Sequence, residues 1–407
     1  MPLLPLDPQK FKIDNKPLEP ACAKCKLCNG CLSPKMKPSG KGKKNILIVA
    51  EAPGKYEDQQ NTQLVGDAGQ TLRSILDDYD IDLDDDCIKT NAIRCRPPGN
   101  RTPTNMEIQC CRPSLMNLIK EMKPHIILPL GGTAIVSLIT DRVDAGDSSI
   151  NTWRGFQIPD QELHSWVCPS YHPSYIMRHT TSPVAELIFR EDLKKAFSLL
   201  HEEIPDYSWL EKSVVILRNS SEIKAMLQRA SVAKGLVSFD YEASGLKPYR
   251  KGHFLSCAAV AFYDEGEPKS YSFMVTKEIT RDLKFFLVSD CKKVIANTSY
   301  ERLWSEVMLN TDINNIVYDP IIGQHVLDNR SKITGVKFQT YAYLGIPDYS
   351  SHVSKYLKAP DKIRKIEGSH AINCITKIHP DLLMKYNGMD SMVELIIAEK
   401  EIGWLGL

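Results

Sequence analysis

Residues 90–111 read TNAIRCRPPGNRTPTNMEIQCC, and a strand end, a proline-broken loop and a helix start meet within them. The apolar run 87–93 predicts a strand, which sets Asn91 near a carboxyl strand end, where open α/β sheets bind their ligands. Pro97-Pro98-Gly99 then forbids helix and strand alike. Cys95 and Cys111 flank this loop, and Cys22-Ala23-Lys24-Cys25 adds a close pair near the amino terminus. Four thiolates from two distant segments suit one metal centre, with buried structural cysteines as the alternative.

The chain has 407 residues, which suits two domains, each able to bury its own core. Its 51 basic and 50 acidic residues nearly cancel, so contact with nucleic acid must rest on local patches and not on a global field. One candidate patch lies between residues 20 and 50, with seven lysines and no acid; a solvated loop is the competing reading. The acid-rich run 77–86 reads as a solvated turn without function. MPLLPLDPQK lacks the regions of a signal peptide, and no apolar run is long enough to span a membrane. The expectation is a cytoplasmic protein (host cytosol for a viral one) with no membrane partner. Twelve cysteines in that reducing compartment argue for metal and core roles over disulfides.

Outward from the opening stretch, NILIVA (45–50) is a buried-strand pattern ending at Glu51. Residues 69–76 read as a helix, 125–131 as a third strand followed by a helix from Thr133, and 166–170 as a fourth that delivers His172. Alternating strands and helices predict a parallel three-layer α/β/α domain. A helix over 183–200 closes it, and the polar stretch 201–213 marks the boundary, giving domains 1–205 and 206–407. After it come a strand at 214–217, a helix from Ser221, a strand at 236–243 and two β runs at 254–263 and 269–275.

At this point EAPG (51–54), GDAG (66–69), TNAIRCRPPGNR (90–101), LPLGGTA (128–134) and YHPSYI (171–176) resemble, in order, the motifs of the iron–sulfur uracil-DNA glycosylases, families 4 and 5. The resemblance covers roughly the first half of the chain. It implies a [4Fe–4S] cluster held by Cys22, Cys25, Cys95 and Cys111; on thiolates alone, zinc is the chemical runner-up. Asn91 would read the flipped uracil, its amide oxygen accepting from N3–H and its NH₂ donating to O4, a pattern that cytosine reverses. His172 would stabilise the departing uracil anion, and Glu51 would orient or activate the attacking water. Ala52, Leu64 and Arg101 would contact the substrate, with the Gly99-Asn100-Arg101 loop and Pro173-Ser174 pressing on the DNA strand. Leu64 departs from the family, which usually has a stacking aromatic there. Such stacking is worth about 1–3 kcal/mol, so its loss implies roughly tenfold or more in base capture.

In the second half, SFDYE (238–242) lies on the predicted strand, and a side-chain period of two sets Asp240 and Glu242 on one face. Residues 385–400 read as a helix on which Tyr386 and Asp390 share a face, and Asn297 and Glu301 show the same spacing in ANTSYERLW (296–304). The three stretches resemble the motifs of the DEDD exonucleases with a motif-three tyrosine, most closely the proofreading domain of family A DNA polymerases, over most of 213–407. That implies an RNase H-like domain with a mixed sheet. It also implies two Mg²⁺ or Mn²⁺ ions held by Asp240, Glu242 and Asp390 with help from Glu301, which stands where aspartate is usual. Tyr386 would position the attacking water and Asn297 would touch the substrate. Asp319 matches a less essential acid, and a helix cap is the expected role. The resulting expectation is a DNA repair or replication enzyme that excises uracil and digests single-stranded 3′ ends. With no room for a polymerase domain after the last helix, three readings stay open: the exonuclease works alone, it partners a separately encoded DNA polymerase, or the sequence is the front of something longer. The alternative keeps the exonuclease and makes the first half a non-catalytic DNA-binding or polymerase-docking module.

Overall fold

Ile46–Ala50 is apolar throughout and buried throughout, as a central strand of a parallel sheet must be. Cys87–Asn91 pairs along one side of it and Ile126–Pro129 along the other, and Ser165–Val167 extends the sheet beyond Ile126–Pro129, all in parallel. The fourth strand is shorter than the expected 166–170, because Pro169 removes a ladder donor just past its end. Helices Asp67–Asp77, Asn105–Met122, Gly132–Ile139 and Pro183–Ser198 alternate with these strands and complete the expected α/β/α domain. The register sets Ala50 beside Asn91 and Val49 beside Pro129, while Leu130 bridges in parallel to Ser170. Glu51, Asn91, Gly131 and His172 therefore leave the sheet at one edge, its carboxyl edge.

The computed structural model describes residues 20–139, 141–143, 149–179 and 183–407. The amino-terminal stretch read above for a leader lies outside them. Among the described residues no helix is long and apolar enough to cross a membrane. The chain forms two compact units; the first ends at Glu203, and the second begins at Ile204 and also takes in 158–162 and the short stretch from Asp141. Within that second unit the buried Asp160 carboxylate accepts from Arg142 Nε at 2.7 Å and from the Tyr341 hydroxyl at 2.8 Å.

Two local features correct the reading above. The acid-rich turn is not idle: Asp85 pairs with Lys41 and Lys43, Asp86 with Lys44, and Asp84 with Arg73 and Lys89. Three of the seven lysines offered as a basic patch are thereby neutralised, which removes much of that patch. Pro98–Asn100 forms a single 3₁₀ turn where helix was excluded, since Pro98 stands at its start, where no donor is needed, and Gly99 adopts a positive φ of 64°.

The second unit is built on a six-stranded mixed sheet in the order Ile316–Tyr318, Lys292–Val294, Leu236–Ala243, Leu255–Asp264, Glu267–Met274, Val214–Leu217. The two pairings around Leu255–Asp264 are antiparallel and the other three parallel. Helix Pro380–Leu405 lies across this sheet. Its close approach depends on small residues: Ala258, Ala259, Ser270 and Ser272 are fully buried on the strands, and Gly388 on the helix faces Val214 and Ser272. Asn387 then spans the contact, donating to the Asp240 carboxylate at 2.6 Å and accepting from Ser272 Oγ at 3.3 Å.

Helix Asn105–Met122 begins in a capping box, in which Thr104 Oγ1 accepts from the Glu107 N–H at 3.3 Å and Glu107 accepts from the Thr104 N–H at 2.8 Å. Thr104→Ala should cost about 1 kcal/mol, a fall of roughly 2–4 °C in the melting temperature of the first unit, with Thr104→Ser close to wild type in scanning calorimetry. An unchanged midpoint in Thr104→Ala would show that the cap does not hold the helix.

Candidate active sites

At the carboxyl edge of the first sheet lies a cleft of about 540 Å³ whose lining includes Glu51, Ala52, Leu64, Asn91, Arg101 and His172. The structure thus brings all six residues together. Asn91 is 4 % exposed, and its Nδ2 is buried with no hydrogen-bond partner among the described residues. An amide donor in that state costs about 1–3 kcal/mol unless a ligand satisfies it. His172 caps the short helix Pro173–Arg178, its Nδ1 accepting from the Ser174 N–H at 3.2 Å, so the neutral ring carries its proton on Nε2. Burial, and then the Arg178 charge, hold its pKa down at about 4. Gly131, at φ 88°, lets the strand pass close: a Cβ there would sit 3.2 Å from His172 Cβ. Glu51 accepts from Thr133 Oγ1 at 3.0 Å.

Leu64 is buried and adopts a positive φ of 53°. Its carbonyl accepts from Arg73 at 2.7 Å, and the Glu57 carboxylate gathers the N–H groups of Val65 and Gly66 at 3.1 and 2.8 Å. Gly69 is required here, since a Cβ would fall 1.8 Å from the Leu64 oxygen. Arg101 is less available than expected: it makes a two-point pair with the buried Glu107 carboxylate at 2.9 and 2.6 Å. Arg101 in turn holds the Glu107 pKa down at about 2.

The sequence reading missed the aromatic wall of this cleft. Tyr171 and Tyr175 line it and stack at 4.5 Å with 23° between planes, and His179 continues the stack at 4.0 Å. The spacing of four in YHPSYIMRH was the available signal.

Cys22, Cys25, Cys95 and Cys111 line one cavity, together with Cys28 and Cys110. Backbone N–H groups of Lys35 and Arg94 donate to the sulfurs of Cys95 and Cys111 at 3.2 and 3.4 Å, an arrangement suited to thiolates. Burial pushes the Cys95 thiol up to about 12 and also raises Cys25 and Cys111, so these sulfurs need a bound metal charge to ionise. The donor set fits a thiolate-ligated centre.

In the second unit Asp240, Glu242 and Asp390 place carboxylate oxygens within 4.8 Å of one another. Burial first, and then neighbouring carboxylates, raise the pKa of Asp240 and Glu242 well above the ordinary range. This donor set fits a hard divalent cation. Tyr386 lies one helical turn before Asp390 on Pro380–Leu405, as expected. Glu301 is not part of the trio: it is buried at 1 % exposure with Oε2 unpartnered, and its pKa is raised by burial, then by Asp240 and Glu394. Glu394, which the sequence reading missed, sits one turn beyond Asp390 and accepts from Ser238 Oγ at 3.2 Å. Asn297 is exposed in a left-handed conformation at the start of helix Thr298–Trp304. Asp319 caps helix Pro320–Leu327 as expected, and also accepts from the Asn297 and Thr298 N–H groups at 3.3 and 3.0 Å.

Comparison with known proteins gives a family for the first unit. Residues 38–217 match the uracil DNA glycosylase superfamily. The type-4 uracil-DNA glycosylase of Thermotoga maritima is 36 % identical over 158 residues, 39 % of this chain and 79 % of that protein. The enzyme of the same name from Saccharolobus solfataricus is 31 % identical over 182 residues, 43 % of this chain and 79 % of that protein. Among solved structures, Trypanosoma brucei RNase D resembles the carboxy-terminal half with a TM-score of 0.36 and 12 % identity, over 48 % of this chain and 66 % of that one. Brucella melitensis NrnC with bound Mg²⁺ gives 0.33 and 12 %, over 48 % and 84 %.

Packing three carboxylates together is expected to weaken the metal-free fold. Glu242→Gln should raise the melting temperature of EDTA-treated protein by roughly 2–4 °C per kcal/mol of relieved repulsion, and abolish the further rise that Mn²⁺ gives the wild type. A variant less stable than wild type in EDTA would contradict this reading of the trio.

Proposed function

Through residues 38–217 this chain belongs to the uracil-DNA glycosylase superfamily, and on that premise we propose that it carries two hydrolytic sites for DNA. The first unit excises uracil, and the second is a metal-dependent 3′→5′ exonuclease of the proofreading type. Together they would serve DNA repair or replication, with a separately encoded polymerase as a source of 3′ ends.

The observation that carries the first assignment is the unpartnered Asn91 Nδ2 in the cleft. It suits uracil O4, while the amide oxygen suits N3–H; cytosine presents the opposite pattern and leaves both ends of the amide opposed. His172 supplies an Nε2–H donor for the oxygen on which negative charge develops as the glycosidic bond breaks. Being neutral, with Nδ1 accepting from the Ser174 N–H, the ring has Nε2–H as its one N–H donor. Glu51, held by Thr133, orients water toward the sugar. Tyr171 and Tyr175 line the same cleft, but their faces are taken up by each other, by His179 and by Arg154, so stacking on the base is left to residue 64.

Cys22, Cys25, Cys95 and Cys111 are proposed to hold a [4Fe–4S] cluster, which would fasten the CxxC turn to the loop and helix that follow Asn91 and take no part in bond breaking. In the second unit, Asp240, Glu242 and Asp390 would hold Mg²⁺ or Mn²⁺, with Glu301 standing near Asp240 outside the trio. Such ions supply an activated water and neutralise charge on the leaving 3′ oxygen. Tyr386, one helical turn before Asp390, would orient that water.

Uracil release from single-stranded DNA should fall at least about a hundredfold in Asn91→Ala and in His172→Ala, and rise in Leu64→Phe. Because His172 stays neutral above a pKa of about 4, the rate should be level from about pH 5 to 8 and decline only in stronger acid. A titration near the ordinary histidine value of about 6.5, lost in His172→Gln, would contradict a neutral donor. No release from wild type or Leu64→Phe would leave the first unit as a DNA-holding module. Digestion of 3′ ends should require Mg²⁺ or Mn²⁺ and be lost in Asp240→Ala; wild-type digestion by that variant would refute the second assignment.

A further inference from the structure

Beside the trio stands a cation that none of the three motifs contains. Lys337, on helix Val336–Leu344, donates to Asp390 Oδ1 and, at 2.8 Å, to the Tyr349 hydroxyl. Its ammonium lies 4.0 Å from the Tyr349 ring centroid and 4.5 Å from that of Tyr386. Tyr349 closes the arrangement by donating to the same Asp390 oxygen at 2.5 Å. The ammonium is therefore fixed from three sides, by a carboxylate and by two aromatic faces that attract cations.

We propose that Lys337 is a built-in counter-ion of the carboxylate trio, competing with the divalent ion for Asp390 and so setting the metal concentration at which the site fills. The inference rests on the reading of Asp240, Glu242 and Asp390 as the metal-holding group. Three close carboxylates repel one another without a cation nearby, and Lys337 relieves that repulsion through Asp390. An arriving divalent ion must either displace the ammonium from Oδ1 or share Asp390 with it, and both oppose binding. The two rings keep the displaced ammonium at hand, ready to return when the metal leaves. Lys337 is in this sense a positioning residue, acting on the metal through Asp390.

The sign of the effect separates this role from a merely structural one. A lysine that only supports the site would, when removed, loosen the carboxylates and weaken metal binding; a competing cation, when removed, tightens it. The test is Mn²⁺ binding to the full chain without DNA, followed by calorimetry and by the electron paramagnetic resonance of free Mn²⁺, for wild type, Lys337→Met, Lys337→Gln, Lys337→Arg and Asp240→Ala. Lys337→Met and Lys337→Gln should bind Mn²⁺ about tenfold more tightly, the scale of losing one close charge in a partly screened site, while Lys337→Arg stays near wild type. In EDTA both neutral variants should melt below wild type, and saturating Mn²⁺ should close the gap. Unchanged or weaker Mn²⁺ binding in both neutral variants, with binding lost in Asp240→Ala, would overturn the proposal and leave the metal site standing. Mn²⁺ binding that survives Asp240→Ala undiminished would instead overturn the reading of the trio. If Lys337→Met fails to fold, Lys337→Gln decides.

Discussion

A buried polar atom without a partner costs about 1–3 kcal/mol, a cost that a ligand able to hydrogen-bond it removes. Among the described residues eleven such atoms occur, and two of them belong to the groups of residues that the chain's chemistry points to. Asn91 Nδ2 is unpartnered in the cleft of the first unit, and Glu301 Oε2 is unpartnered behind Asp240 in the second. Neither position is free to drift toward a partner. Asn91 ends a strand whose register with Ile46–Ala50 is set residue by residue. Glu301 is fully enclosed on a helix packed against the core. Each position is held by backbone interactions elsewhere, so neither side chain can relax toward a partner without giving those up.

The two units reach comparable preparation by different means. In the first, parallel strands end in register, so side chains distant in sequence emerge at one edge and the loops need only hold them there. Glu57 gathers two N–H groups of the Leu64 loop, and Ser174 fixes the His172 tautomer. In the second, a long helix crosses the sheet on a bed of alanine and serine, and Asn387 pins it opposite Asp240. That contact brings Asp390 to the two strand acids. The acids Glu301 and Glu394 surround this core but stand outside it. The extra methylene of Glu301 thus adds reach without placing its carboxylate in the trio.

Periodicity made much of this legible. A period of two assigned Asp240 and Glu242 to one face, and a spacing of four joined Tyr386 to Asp390; both are local rules that tertiary structure had no reason to override. Buried-strand patterns likewise located Glu51, Asn91 and His172 at strand ends. What escaped was set by long-range contact. Nothing local tells that Lys337 reaches Asp390, 53 residues away in sequence, or that lysines 41, 43 and 44 meet Asp85 and Asp86. The Arg101 pair with Glu107 was closer to hand, because Thr104 and Glu107 already spell a capping box that draws the carboxylate inward. Residues 158–162 pack with the second unit although their sequence lies inside the first, and only the three-dimensional partners of Asp160 reveal why.

The central claim is that the cleft at Asn91 is built to accept uracil and refuse cytosine, by an amide whose donor awaits O4 and whose acceptor awaits N3–H. It is tested most directly by measuring free-base release from matched single-stranded oligonucleotides that differ only in carrying one deoxyuridine or one deoxycytidine at the same position. The account predicts release of uracil and none of cytosine above background. Equal release of the two bases, or release of cytosine alone, would contradict it.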